Sequence, residues 1–344
     1  LLCIAIPALE RLQKEGGEEG KKKIASITRY STVAIGLLQG FAYYMMMRNY
    51  SLINADFASN VWAAIVIILT FTSGSALIMW LGEQITEFGI GNGISIILFV
   101  SIVARFPNSI IRQINNVANG DLAWWVLVLM YLGALLLIVL IVLVNDAERR
   151  LPVQYSKRVV GRKMYGGQST FIPLKANANG VMPLIFAMTI MQVPAMIGQF
   201  WPDGGFYKFY INYMSASSEH WYGHLVYYVI YSLLIVAFAY FYTTISFNPV
   251  EISKNLQQNG GFIPGIRPGR PTGDYLKRIS NRLTLFGAIF LMILAIVPTV
   301  LLGAFGLSST FGPTSILIMV SVALETSAQL ESMMLMRHYK GFLG

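Results

Sequence analysis

GISIILFVSIVARFPNSII, residues 93–111, decides how this chain is threaded. It is apolar over most of its length but carries Arg105 and Pro107 near one end, so alone it is a weak spanning segment. Seven other stretches have the length and apolarity of a membrane helix: 26–47, 61–81, 123–144, 181–200, 225–246, 283–303 and 312–330. With 93–111 counted as an eighth span, alternation collects Arg11, Lys14, Lys21, Lys22, Lys23 and Arg29 on one side. The same side holds the basic residues of 146–180, of 247–282 and of the tail, 21 of the 25 Lys and Arg in all. The other side holds Arg48, Arg105, Arg112 and Lys208. Without the eighth span the basic loops fall on both sides. Lys and Arg mark the cytoplasmic face, so loops 8–25, 82–92, 146–180, 247–282 and the tail are expected there.

Composition agrees with this threading. Hydrophobic residues are 55% of the 344 and charged ones 12%, about half the charged share of a soluble domain. The formal charge of +9 is therefore read by its placement, not as a nucleic-acid signal. One cysteine, Cys3, excludes an internal disulfide framework and a multi-cysteine metal site. The opening LLCIAIP covers only ~10 Å of a ~30 Å hydrocarbon core. It reads as the end of a span, and the chain is expected to be part of a longer sequence.

The spans lack ionic chemistry. Asp56, Asp121, Asp146, Asp203 and Asp274 fall in expected loops, and His220, His224 and His338 lie in loops or the tail. Glu325, about one turn from a cytoplasmic helix end, is the one acid inside a span. A charge at the bilayer centre costs ~2.5–3.5 kcal/mol, so charges that remain there usually have a task. A coupled transporter needs midplane acids or unwound polar helices, and an enzyme needs a nucleophile with a base or a metal cluster. Ser73 and Ser75 beside Gly74 have no such partner, and Gly36 with Gly40 forms a GxxxG suited to packing. No cofactor is expected. GIGNG, 89–93, follows no strand and is not a dinucleotide fingerprint; it reads as a flexible entry to a helix that Asn92 caps. The Trp- and Tyr-rich outer loop 201–224 reads as an interfacial belt.

Two cytoplasmic loops are longer than connectors need to be. In 145–175, partial alternation at Val153, Tyr155, Val159, Val160 and Tyr165 predicts a hairpin-like finger. In 247–278, the density of Gly and Pro predicts a shaped, non-helical tip. Their cations suit anionic lipid, ribosomal RNA or an acidic protein.

Three stretches carry a resemblance: WLGEQITEFGIGNGISIILF (80–99), ERRLPVQYSKRVVGRKMYGGQSTFIPLKANANGVMP (148–183) and NLQQNGGFIPGIRPGRPT (255–272). They resemble signature stretches of the bacterial SecY family, over the chain to about residue 331. The resemblance implies an all-α polytopic membrane protein, a channel of two pseudo-symmetric helical halves around a central hourglass pore. Of ten spans, this chain would carry the end of the second through the tenth, without the plug helix. The implied division is an incomplete N-terminal half 1–110, an external hinge 111–122, a C-terminal half 123–331 and a tail 332–344. Residue by residue, the implied pore ring is Ile94, Leu98, Ile185 and Ile318, with Leu98 departing from the commoner Ile. Arg162 and Lys163 match a ribosome-contacting tip, and Arg267 in GIRPG matches a position tied to the SecA motor, with Arg270 beside it.

The implied function is the central pore-forming subunit of the bacterial inner-membrane protein translocase. It would pass unfolded secretory polypeptides and release membrane helices sideways, between 26–47 and the pair 181–200 and 225–246. Its implied partners are SecE, SecG, the SecA motor ATPase, the translating ribosome, signal-sequence-bearing polypeptides and anionic lipid. It would not be an enzyme. A secondary solute transporter with inverted repeats is the alternative.

Overall fold

The computed structural model describes residues 17–53, 60–120, 123–155, 158–160, 163–165, 169–177, 180–201, 204–216, 218, 220–304 and 312–340. They fall into two compact units. One comprises 1–97 with 193–212, the other 98–192 with 213–344.

In the first unit α1 (Gly17–Asn49) lies against α2 (Val61–Phe88). Small residues set their approach. A Cβ on Gly36 would stand 2.9 Å from Ser75 Oγ, and one on Gly40 would stand 3.1 Å from the Ile68 carbonyl oxygen. The GxxxG therefore packs, as membrane helices need when lipid competes for every apolar contact. Tyr43 stacks on Phe71 with ring centroids 5.4 Å apart, and Arg29 meets Glu83 at 2.8 Å. Thr72 returns its hydroxyl to the Ile68 carbonyl at 2.8 Å, which leaves no unpaired donor there.

The α2 chain reverses into α3 (Gly93–Ala118) through GIGN. Gly91 takes φ 79, a left-handed conformation. Asn92 Oδ1 accepts from the amides of Ile94 at 3.1 Å and Ser95 at 3.4 Å, so it caps the helix. The Gly93 amide donates to Thr86 Oγ1 at 2.8 Å. A Cβ on Gly93 would collide with the Gly82 carbonyl. The helix then runs past 111 to Ala118, through most of the segment expected as a hinge loop.

The second unit is built on an apolar helical core and a platform of strands and a short helix. The core joins α4 (Trp124–Asp146), α5 (Met182–Gly198), α7 (Trp221–Ser246), α9 (Arg270–Ala304) and α10 (Pro313–Lys340). Its buried centre includes Ile141, Leu184, Tyr231, Ile235, Leu291 and Leu317. A short helix, α6 (Gly205–Met214), precedes α7 and belongs to the first unit for most of its length.

The platform joins the two long loops. β1 (Glu148–Tyr155) pairs antiparallel with β4 (Ser169–Lys175), Leu151 opposite Ile172 and Val153 opposite Thr170. Between them β2 (Arg158–Val160) pairs with β3 (Lys163–Tyr165), so 145–175 does form a hairpin. The other edge of β1 takes β5 (Gly261–Phe262), with Gln154 opposite Phe262. Leu151, Val153, Leu174, Leu256, Ile263, Leu276 and Ile279 bury together. The two loops thus form one body instead of two separate fingers.

The loop 247–278 departs from its expected non-helical form. α8 (Pro249–Gln258) occupies its start, capped by Asn248, whose Oδ1 accepts from the Glu251 amide at 3.3 Å. Pro249 sits at the first helical position, where the missing N–H costs nothing. Pro271 lies in the first turn of α9 for the same reason. The irregular tip is confined to 259–269, where Gly260, Gly265 and Gly269 take positive φ.

Six helical segments among the described residues are long and apolar enough to cross a membrane: α2, α3, α4, α7, α9 and α10. α1 is long but less apolar, and α5 has 17 residues, ~25 Å of rise, at the short end of the spanning range. Helices overrun the expected spans because apolarity marks only the lipid-covered part, whereas backbone hydrogen bonding continues into water.

Gly93→Ala is expected to cost about 1–3 kcal/mol by forcing α2 and α3 apart. Gly133→Ala on α4, where a Cβ meets nothing within 4 Å, should gain about 0.5–1 kcal/mol. Thermal unfolding in detergent reads both; a Gly93→Ala protein as stable as the parent removes the close-approach account.

Candidate pore ring and docking surface

The four ring candidates lie on three helices. Ile94 stands in the first turn of α3, 55% exposed, with Cγ1 3.0 Å from the Cβ position of Gly82. Leu98, 39% exposed, lies one turn further along the same helix face. Ile185 follows Leu184 on α5, and Ile318 follows Leu317 on α10. Both leucines are fully buried, and both isoleucines are half-buried, at the border of the packed face. Ile185 and Ile318 thus sit on helices that share one core, and neither belongs to its centre. Ile94 falls in the first unit and the other three in the second. Each side chain is an uncharged aliphatic on a helix, left free by its own unit's core.

The docking candidates lie on the platform. Arg162 is outside the described residues. Lys163 opens β3 and pairs with Val160. Arg267 is exposed in the tip after β5. Its carbonyl accepts from Thr272 Oγ1 at 2.8 Å, and Thr272 is 2% exposed, so a buried hydroxyl fixes the turn that presents Arg267. Arg270 begins α9 and lines a cleft of about 760 Å³ with Lys254, Lys277, Gln257, Asn248 and Asp274. Three cations face one carboxylate there, which favours an anionic ligand or an acidic partner surface. On β1, Arg150 pairs with Glu148 at 2.6 Å and lies 4.9 Å over the Phe171 ring.

Three features were not expected from sequence. One is the β1–β5 pairing that merges the loops. Its signal was the alternation of Leu151 and Val153, which demands a strand buried on one face. The second is the Gly82–Gly93 approach. The third is a set of amides at the platform base, Asn145 and Asn177, whose signal was only that they interrupt or border apolar runs. Among the described residues no three His, Cys, Asp or Glu side chains gather as a metal site would require.

Thr272→Val should leave the fold intact but loosen the Arg267 turn by about 0.5–1.5 kcal/mol. Faster amide hydrogen exchange over 266–269 is the expected result, and unchanged exchange there would refute the hydroxyl's role.

Comparison with known proteins shows the family. The family model described as SecY matches residues 1–327. The protein translocase subunit SecY of Streptomyces galbus is 43% identical over 354 aligned residues, covering 100% of this chain and 79% of the relative. That of Mycobacterium bovis is 42% identical over 364, with the same coverage. Among solved structures, one of a protein-conducting channel aligns at a TM-score of 0.62 and 18% identity, covering 93% of this chain and 75% of that one. One that addresses how the SecY plug domain stabilises the closed channel aligns at 0.67 and 17%, covering 93% and 76%. The yeast Ssh1 complex on the 80S ribosome aligns at 0.62 and 14%, covering 92% and 73%.

Proposed function

The chain belongs to the SecY family, whose members conduct proteins and are not enzymes, and we propose from that premise how its residues seal the pore and receive partners. It is the pore-forming subunit of a protein translocase, a multi-pass membrane protein. The observation that carries this is the family match from residue 1 to 327, over helices whose lipid-length cores are apolar. The solute-transporter alternative has no such support.

Ile94, Leu98, Ile185 and Ile318 form the constriction of a pore between an N-terminal half, 1–110, and a C-terminal half, 123–331. A polypeptide channel must open for an extended chain and yet stop ions when empty. Flexible aliphatic side chains do both, closing around an occupant and dewetting without one. Charged collars would pass ions selectively. The partial burial of Ile185 and Ile318 supports this role: each is anchored by a buried neighbour and keeps a free face.

The membrane is a bacterial inner membrane, with the platform and tail cytoplasmic. Arg162, Lys163, Arg267 and Arg270 receive a translating ribosome or the SecA motor. SecE and SecG complete the complex, and signal sequences leave between α1 and the pair α5 and α7. The chain supplies no nucleotide site in this scheme, so energy comes from the motor, the ribosome or the membrane potential. The cationic cleft supports docking of an acidic or phosphate-bearing partner.

In the full-length complex reconstituted in vesicles, Ile185→Gly with Ile318→Gly is expected to raise resting ion conductance. Conductance equal to the parent's would remove both from the ring. Arg267→Glu should abolish motor-driven export while the complex still assembles; normal export would take the motor contact away from Arg267.

A further inference from the structure

A polar knot sits where the platform meets the membrane core. Asn145, in the last turn of α4, donates from Nδ2 to Ser321 Oγ of α10 at 3.0 Å. Its Oδ1 accepts from Asn177 Nδ2 at 3.1 Å. Asn177 lies two residues past β4 and is 8% exposed. Beside it the Ala176 amide donates to the Ala147 carbonyl at 2.8 Å, closing the base of the hairpin onto the end of α4. α9 presses in from another side: a Cβ on Gly287 would stand 3.2 Å from the Ala176 carbonyl and 3.5 Å from Asn177 Oδ1. The hairpin base is therefore held by α4, α9 and, through Asn145, α10.

The knot bonds to α10 through Ser321 and lies close in sequence to the start of α5. Only four residues separate Asn177 from the start of α5 at Met182, and Ile185 lies in its first turn. Ser321 is three residues after Ile318 on α10, which makes them surface neighbours on one helix. Around the knot Val144, Leu317 and Val320 pack as core apolar residues. Apolar contacts there resist separation but not sliding, because they have no preferred direction. Amide hydrogen bonds do have direction: Asn145 donates on one side and accepts on the other, so its rotation breaks both bonds. The link is half-buried beside apolar packing, with Asn177 itself buried, so a broken bond there is poorly replaced.

We propose that Asn145, Asn177 and Ser321 are positioning residues that couple movement of the cytoplasmic platform to the helices bearing Ile185 and Ile318. Docking on the platform then shifts the ring, whereas an unlinked platform moves alone. The functional consequence rests on the ring reading above; the mechanical coupling does not.

The test separates the two. Val153, fully buried in the platform, is changed to Ala in the full-length complex to loosen the platform without touching the knot. The δ1-methyl NMR signals of Ile185 and Ile318 then report the helices. Val153→Ala should shift both signals. Combined with Asn145→Ala, or with the milder Ser321→Ala, the shift should fall about fivefold or more. The exchange Asn145→Ser with Ser321→Asn, which keeps a donor and acceptor pair, should restore it. Shifts that persist undiminished without the knot, or no shift from Val153→Ala in the intact protein, overturn the coupling. If the coupling holds but Ile185→Gly with Ile318→Gly leaves resting conductance unchanged, the knot stands and the ring reading falls.

Discussion

Lipid offers no hydrogen bonds, and the rest of this structure follows from that constraint. A backbone group left unpaired in hydrocarbon costs several kcal/mol, so the apolar stretches become helices. Their hydroxyls comply too. Thr70, Thr72, Thr189 and Thr299 each return a hydrogen bond to the carbonyl four residues back. Larger polar groups are moved to helix ends, where Asn92 caps α3 and Asn248 caps α8. Inside the membrane, association must then come from close packing, and Gly36, Gly40, Gly82 and Gly93 supply it where backbones meet.

Outside the lipid a different rule applies. Water rewards burial, and the two long loops bury seven apolar side chains together over a three-stranded sheet ordered β4–β1–β5. α9 spans both regimes. Its first turns carry Leu276 and Ile279 into the platform, and its later ones carry Leu291 and Leu294 into the membrane core. One continuous helix of 35 residues therefore joins a soluble fold to a membrane fold.

The separation of chemistry from sealing explains why the spans look featureless. A conduit that must accept many polypeptides gains nothing from a specific polar site, which would bind some segments and stall them. In the proposed scheme, specificity is left to the platform and to the transfer energy of the passing segment.

The apolar runs that become α2, α3, α4, α7, α9 and α10 and the hairpin within 145–175 were legible in the sequence, because apolar run length and strand alternation are local signals. So was the Asn92 cap, since a cap is decided within three residues. The sequence stretches 80–99, 148–183 and 255–272 carried the family. What needed the tertiary structure was every pairing between distant segments. No local signal says that β5 adds to β1 from over a hundred residues away, that Gly93 lies against the Gly82 carbonyl, or that Asn145 reaches Ser321. Such contacts depend on where whole helices pack, and packing is settled by the shape of all surfaces at once, which no single stretch contains.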